Sequence, residues 1–134
     1  MPELFFSIIP VIVLLVVLSL FSYFYFGGRK KDQLEEGVIP FFQEQCGGRF
    51  DGFNLTIPFV RHAMYDDFIV IGYGKKRHII KYTDLSMATL KRHLFSKGIT
   101  YSHSRVDLPR SIIIWSRSPE KVIDLIKGKN VEVK

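Results

Sequence analysis

The stretch DFIVIGYGKKRHIIKYT, residues 67–83, sets two β-rich runs on either side of a glycine and a basic cluster. Phe68 to Tyr73 is almost continuous in branched and aromatic residues, and Arg77 to Thr83 is again β-rich, the composition of strands. Gly74, Lys75 and Lys76 leave room for a tight turn only, and two strands joined so closely pair antiparallel. A β-hairpin is expected here, and the rest of the chain is read outward from it.

Upstream, FNLTIPFV (53–60) alternates Phe53, Leu55 and Ile57 with Asn54, Thr56 and Pro58. Downstream, GITYSHS (98–104) and RSIIIWSR (110–117) have the same character, which gives about five strands in all. Pro58 cannot donate to a ladder, so the first of these strands is expected at an edge or ending in a bulge. Two readings stand for TDLSMATLKRHLFSKG (83–98): Met87, Leu90 and Leu94 have helical spacing, with Thr83 or Asp84 as cap, while Ala88, Leu90, Arg92 and Leu94 alternate as in a half-exposed strand. The chain then closes on a helix. Ser118 stands as N-cap, Pro119 at the first helical position and Glu120 in the first turn; Val122, Ile123, Leu125 and Ile126 form the apolar face, and Gly128 is the stop.

The first part of the chain has another composition. Leu4 to Phe26, LFFSIIPVIVLLVVLSLFSYFYF, carries no charge, and as a helix it extends roughly 34 Å, enough to cross a bilayer. A buried core helix is usually shorter or shows a polar stripe. A cleaved leader has a basic start and a small-residue cleavage site, neither of which is present. Pro10 is tolerated in a membrane helix as a kink or first-turn residue. At the far end Tyr23 and Tyr25 have the amphipathic rings of an interfacial belt, Gly27 and Gly28 break the helix or loosen its exit, and Arg29, Lys30 and Lys31 follow at once. All 19 Lys and Arg residues lie after the apolar run, and of the 13 acidic residues only Glu3 precedes it. By the positive-inside tendency the C-terminal part faces the cytoplasm. The single cysteine, Cys46, cannot form an internal disulfide and suits that compartment, and the sequon at Asn54–Thr56 is read as accidental.

Three parts follow: an anchor (1–28), a juxtamembrane connector (29–48) and a domain (49–134). Gly37 and Pro40 limit the connector to a short helix or turn. Its apolar cluster, Val38, Ile39, Phe41 and Phe42, either packs on the domain or lies in the lipid interface.

Within the domain, DDFIVIGYGKKRHIIKYTDLSMATL and LPRSIIIWSRSPEKVIDLIKG resemble the strand, basic turn, strand pattern and the closing strand and helix of bacterial pleckstrin-homology-like domains. The resemblance covers about residues 50–128 and lies in hydrophobic pattern, not in an invariant motif. It implies an α+β fold, a small antiparallel sheet or partly open barrel closed by the C-terminal helix, with a strand expected over 84–95. It also implies a binding or scaffolding module of a bacterial inner membrane, not an enzyme.

The residues offer no catalytic pattern. His62, His78, His93, His103 and Cys46 are not at metal-ligand spacings, so no metal or other cofactor is expected. Asp66 and Asp67 are neighbours in a turn before a strand, where adjacent side chains diverge. No phosphate loop or nucleophile elbow occurs. The basic residues carry the functional expectation. Lys75, Lys76, Arg77 and Lys81 form a cluster that either keeps the surface solvated or contacts anionic headgroups or a protein partner. The expected function is that of a single-pass membrane interaction or scaffolding protein. The alternative is an auxiliary subunit assembled through its transmembrane helix, and nucleic acid is not an expected partner.

Overall fold

The computed structural model describes residues 2–134. The apolar run forms helix α1 (Pro2–Gly27), long and apolar enough to span a membrane, with no buried residue along it. After a 3-10 turn at Gln33–Glu35 come strands β1 (Phe42–Phe50), β2 (Phe53–Met64), β3 (Phe68–Tyr73), β4 (Lys76–Lys81), β5 (Leu85–Arg92), β6 (Lys97–His103) and β7 (Ile112–Trp115), with a second 3-10 turn at Tyr82–Asp84 between β4 and β5. Helix α2 (Pro119–Lys127) and the short β8 (Glu132–Val133) end the chain. The described residues thus form one eight-stranded sheet, curled into a half-barrel, in the order β4-β3-β2-β1-β7-β6-β5-β8. Two antiparallel meanders are joined through β1 and β7, and β8 pairs parallel with β5.

The hairpin that sets this frame is present. Tyr73 pairs with Lys76 across a two-residue turn whose first residue, Gly74, has φ +54°, where a side chain is disfavoured. Segment 85–92 is a strand between β6 and β8, with Leu85 and Ala88 buried, so the alternating reading of this segment holds over the helical one.

Two strands were not legible. From sequence, residues 42–48 belong to the connector; in the structure they make up most of β1. The central part of that strand, Gln43, Glu44, Gln45, Gly47 and Gly48, lacks the apolar alternation that marks a strand. β8 is only two residues long, held because Lys134 exchanges backbone bonds with Leu90 and Ala88.

Pro58 has a different setting from the one expected of an edge strand. β2 lies inside the sheet between β1 and β3, and the proline is accommodated by a bulge within the strand. Val60 pairs with Cys46 and Leu55 with Gly48, so Thr56 to Phe59 leave the ladder opposite Gly47 alone. A Cβ on Gly47 would lie 2.7 Å from the Leu55 carbonyl, so the glycine lets the two strands close at this corner.

The concave face holds the core: Ile69, Ile71 and Ile80 from one meander, Ile99, Ile112 and Ile114 from the other, with Phe50 stacked on Tyr73 at 4.3 Å. α2 closes it with Val122, Ile123 and Ile126. Pro119 opens this helix as expected, while the Ser118 side chain makes no capping bond and its carbonyl accepts from Val122 at 3.1 Å. One polar chain crosses the core, from Glu44 through His62 Nδ1 at 3.1 Å, then from His62 Nε2 to the Tyr101 hydroxyl at 2.8 Å. Burial raises the Glu44 pKa, but contacts with His62, Ser116 and the Arg117 backbone outweigh it and leave the carboxyl below its ordinary value.

Truncation should reflect this layout. Ile69→Ala is expected to cost about 2–5 kcal/mol, whereas Leu94→Ala at the exposed β5–β6 tip should stay within about 0.5 kcal/mol; denaturant unfolding of the full chain in detergent measures both.

Candidate functional site

The end of α1 does not swing free. It docks on the β3–β4 turn through backbone-to-backbone contact between two pairs of glycines. A Cβ on Gly27 would lie 2.8 Å from the Gly74 carbonyl oxygen, and one on Gly72 would lie 3.0 Å from that of Gly28. Gly27 and Gly28 therefore do not loosen the helix exit, as expected from sequence; they allow it to be clamped, because any side chain would hold helix and turn apart. Tyr23 packs over Gly74, and Phe59 of β2 meets the helix from the other side, its ring edge-on to Phe21 at 5.2 Å.

Arg77 completes the clamp. Its guanidinium donates to the Gly27 carbonyl, to Lys30 O at 2.6 Å and to Gly74 O at 3.1 Å. The carbonyls at a helix C-terminus lack intrahelical donors and carry the negative end of the helix dipole, so a cation from another element satisfies both needs. Burial and the nearby Arg61 lower the Arg77 pKa, but an arginine remains charged at neutral pH.

Beyond the clamp, the connector is strapped to the convex face of the sheet. Asp32 caps the 3-10 turn, accepting from Leu34 N at 3.1 Å, and Glu35 reaches back to the Asp32 amide at 2.6 Å. The same Glu35, fully buried, accepts from Arg61 and from the Tyr65 hydroxyl at 2.6 Å, while Arg61 Nε also donates to Gln43 at 3.3 Å. Burial raises the Glu35 pKa, but the bonds from Arg61, Tyr65 and the Asp32 backbone prevail and hold it below its ordinary value of 4.5. So the connector packs through an acid, not through its apolar cluster. Ile39 is exposed, and Phe41 donates its amide to Met64 at the end of the sheet away from the clamp; only Phe42, as part of β1, packs on the core.

Between α1 and the turn lies a groove of about 630 Å³. Ser19, Ser22, Tyr23 and Phe26 line its helix side; Lys30, Lys31, Lys75 and Arg77 surround its mouth, with Asp32 the single acid. Of the residues singled out from sequence, the fold thus brings together Tyr23, Lys30, Lys31, Lys75 and Arg77. Lys76 lines an adjoining aromatic pocket with Phe24, Phe53 and Tyr73. Tyr25 and Arg29 pair with each other, the guanidinium carbon 4.0 Å over the ring. Lys81 is not part of the cluster: it ends β4, roughly 16 Å along the strand from Lys76, in a separate groove with Asp66 and Asp67. The pairing of Gly27 and Gly28 with the Gly-Tyr-Gly of the turn escapes sequence reading, although two close glycine sets next to basic residues are its only trace.

The histidines are engaged singly. His62 belongs to the Glu44–Tyr101 chain, His78 Nε2 shares a hydrogen bond with the Tyr73 hydroxyl at 2.8 Å, and His103 contacts the Pro109 carbonyl at 2.7 Å. Burial and Lys76 lower the His78 pKa, and burial pushes that of Tyr73 up to about 12, so both partners of that bond are neutral at pH 7. Among the described residues no group of three or more His, Cys, Asp or Glu could hold a metal ion. No protein-family model matches the chain, and no curated protein matches it.

Two outcomes follow from the clamp and the strap. Arg77→Ala and Gly27→Val should each raise hydrogen exchange of the amides from Gly28 to Lys31, the first by a loss of about 1.5–3 kcal/mol in local opening free energy. Because the Glu35 pKa is depressed on folding, the strap's contribution is complete above the ordinary carboxylate range and fades as pH falls below 4.5. Glu35→Gln should abolish that pH dependence in exchange of the amides from Gln33 to Val38.

Proposed function

We propose that the chain is a single-pass protein of a bacterial inner membrane whose cytoplasmic, pleckstrin-homology-like domain is a non-enzymatic interaction module that engages the phosphate of anionic lipid headgroups. The observation that carries this is the groove at the helix end. Three lysines with no salt bridge among the described residues, Lys30, Lys31 and Lys75, gather at its mouth, and the wall below them is made of helix side chains that continue into the apolar run. A lipid fits both halves at once, its headgroup among the lysines and the start of its acyl chain along Ser22 and Phe26.

Electrostatics favours this partner. A basic side chain held near an anionic leaflet contributes about 1 kcal/mol, and one held there by a spanning helix has little translational freedom left to lose. The orientation is supported by Arg29, Lys30 and Lys31, which follow the apolar run directly. The kinship with pleckstrin-homology-like domains is supported by the two antiparallel meanders and the closing helix α2. Arg77 has a different part from that of the lysines: it positions the turn and the helix end around the groove.

Native mass spectrometry of the full chain released from nanodiscs of mixed phosphatidylglycerol and phosphatidylcholine tests this. Retention of phosphatidylglycerol is expected, falling at least tenfold in the triple variant Lys30→Glu, Lys31→Glu, Lys75→Glu. Equal retention of both lipids, or retention unaffected by the triple change, would sink the proposal.

A further inference from the structure

We infer that the bulge of β2, Thr56–Phe59, is a second membrane-contacting element, seated in the interfacial layer of the bilayer beside α1. This rests on α1 being a spanning helix, but not on the lysine groove.

Its position comes from the register. Met64 pairs with Ile69 and Arg61 with Gly72, so β2, followed backward, runs alongside β3 toward the clamped turn. The residues before Val60 therefore lie level with Gly74 and past it, on the side from which α1 arrives. Phe59 confirms the depth: its ring meets Phe21 at 5.2 Å and Phe24 at 6.3 Å. Phe21 precedes Gly27 by six residues, roughly 9 Å of helix, so the Phe59 ring reaches down beside the last turns of the apolar helix while the Phe59 carbonyl lies by Gly28.

The chemistry of the corner matches that depth. FNLTIPFV, residues 53–60, holds no charge, and two of its large apolar side chains face outward, Ile57 at 45% exposure and Phe53 at 51%. Exposed Lys75 and Lys76 flank Phe53 across the aromatic pocket. An apolar tip with a basic rim is the pattern of an element lying in the headgroup and upper acyl region, the occupant to which we assign it. The unpaired backbone of a bulge would be costly in hydrocarbon but remains hydrated among headgroups. The extra residues thus have a use: they push Ile57 out of the sheet toward lipid.

The full chain in nanodiscs provides the test. Ile57→Cys carrying a nitroxide is compared with Lys91→Cys on β5; Cys46 is buried and should remain unlabelled. The expected result is at least a threefold higher ratio of oxygen to nickel-chelate accessibility at position 57. Independently, Ile57→Trp combined with Trp115→Phe should show blue-shifted emission that is quenched by lipids brominated high on the acyl chain. A water-like accessibility ratio at 57, or unquenched emission there, would overturn the inference. If that occurs while phosphatidylglycerol retention persists, the bulge assignment alone fails. A lipid-like signal at 57 without such retention supports the bulge and removes only the groove.

Discussion

The close contact of Gly27 and Gly28 with the β3–β4 turn sets how the half-barrel lies against α1. A helix end that meets a hairpin turn backbone to backbone packs at a distance set by carbonyl oxygens and not by adaptable side chains. Arg77 then turns the contact into a charged one, meeting the unsatisfied carbonyls of α1 with the guanidinium of β4. The consequence is that α1 and the half-barrel, joined by a chain segment rich in charge and glycine, also meet directly at the helix end and the hairpin turn.

Two buried polar assemblies extend this from opposite faces of the sheet. On the convex face, Glu35, Arg61 and Tyr65 hold the connector against β2; on the concave face, Glu44, His62 and Tyr101 tie β1 and β2 to β6. Both carboxylates have their burial cost offset by several donors, which is the condition under which buried charge specifies one geometry instead of weakening the fold. Arg61 and His62 are consecutive in β2 and point to opposite faces, so one strand carries both assemblies.

The parts of this architecture visible in the sequence were those set by local periodicity or turn chemistry. Gly74 marks its hairpin, Pro119 its helix start, and the uncharged run to Phe26 its helix, because each acts over a few residues. β1 was hidden for the opposite reason: Glu44 and Gln43 are inward or pairing residues only by virtue of His62 and Arg61, which lie 18 positions away. Pro58 pointed to a bulge correctly and to an edge wrongly, since a bulge deep enough to exclude four residues from the ladder lets proline sit in an interior strand. At the candidate site, the basic residues were recognisable but not their division of labour. Lys75 and Arg77 are two positions apart in sequence, yet one faces the groove mouth and the other is spent on the helix end.

The junction also couples the direction of α1 to that of the half-barrel. A spanning helix longer than the local hydrocarbon thickness tilts to bury its length, and thickness differs among membranes and among lipid compositions. Were α1, with its 26 residues, to span a bilayer as proposed, such a tilt would be carried through the clamp to the half-barrel. The direction in which its open edge β4 faces would then vary with bilayer thickness, a geometric readout that needs no bound ligand.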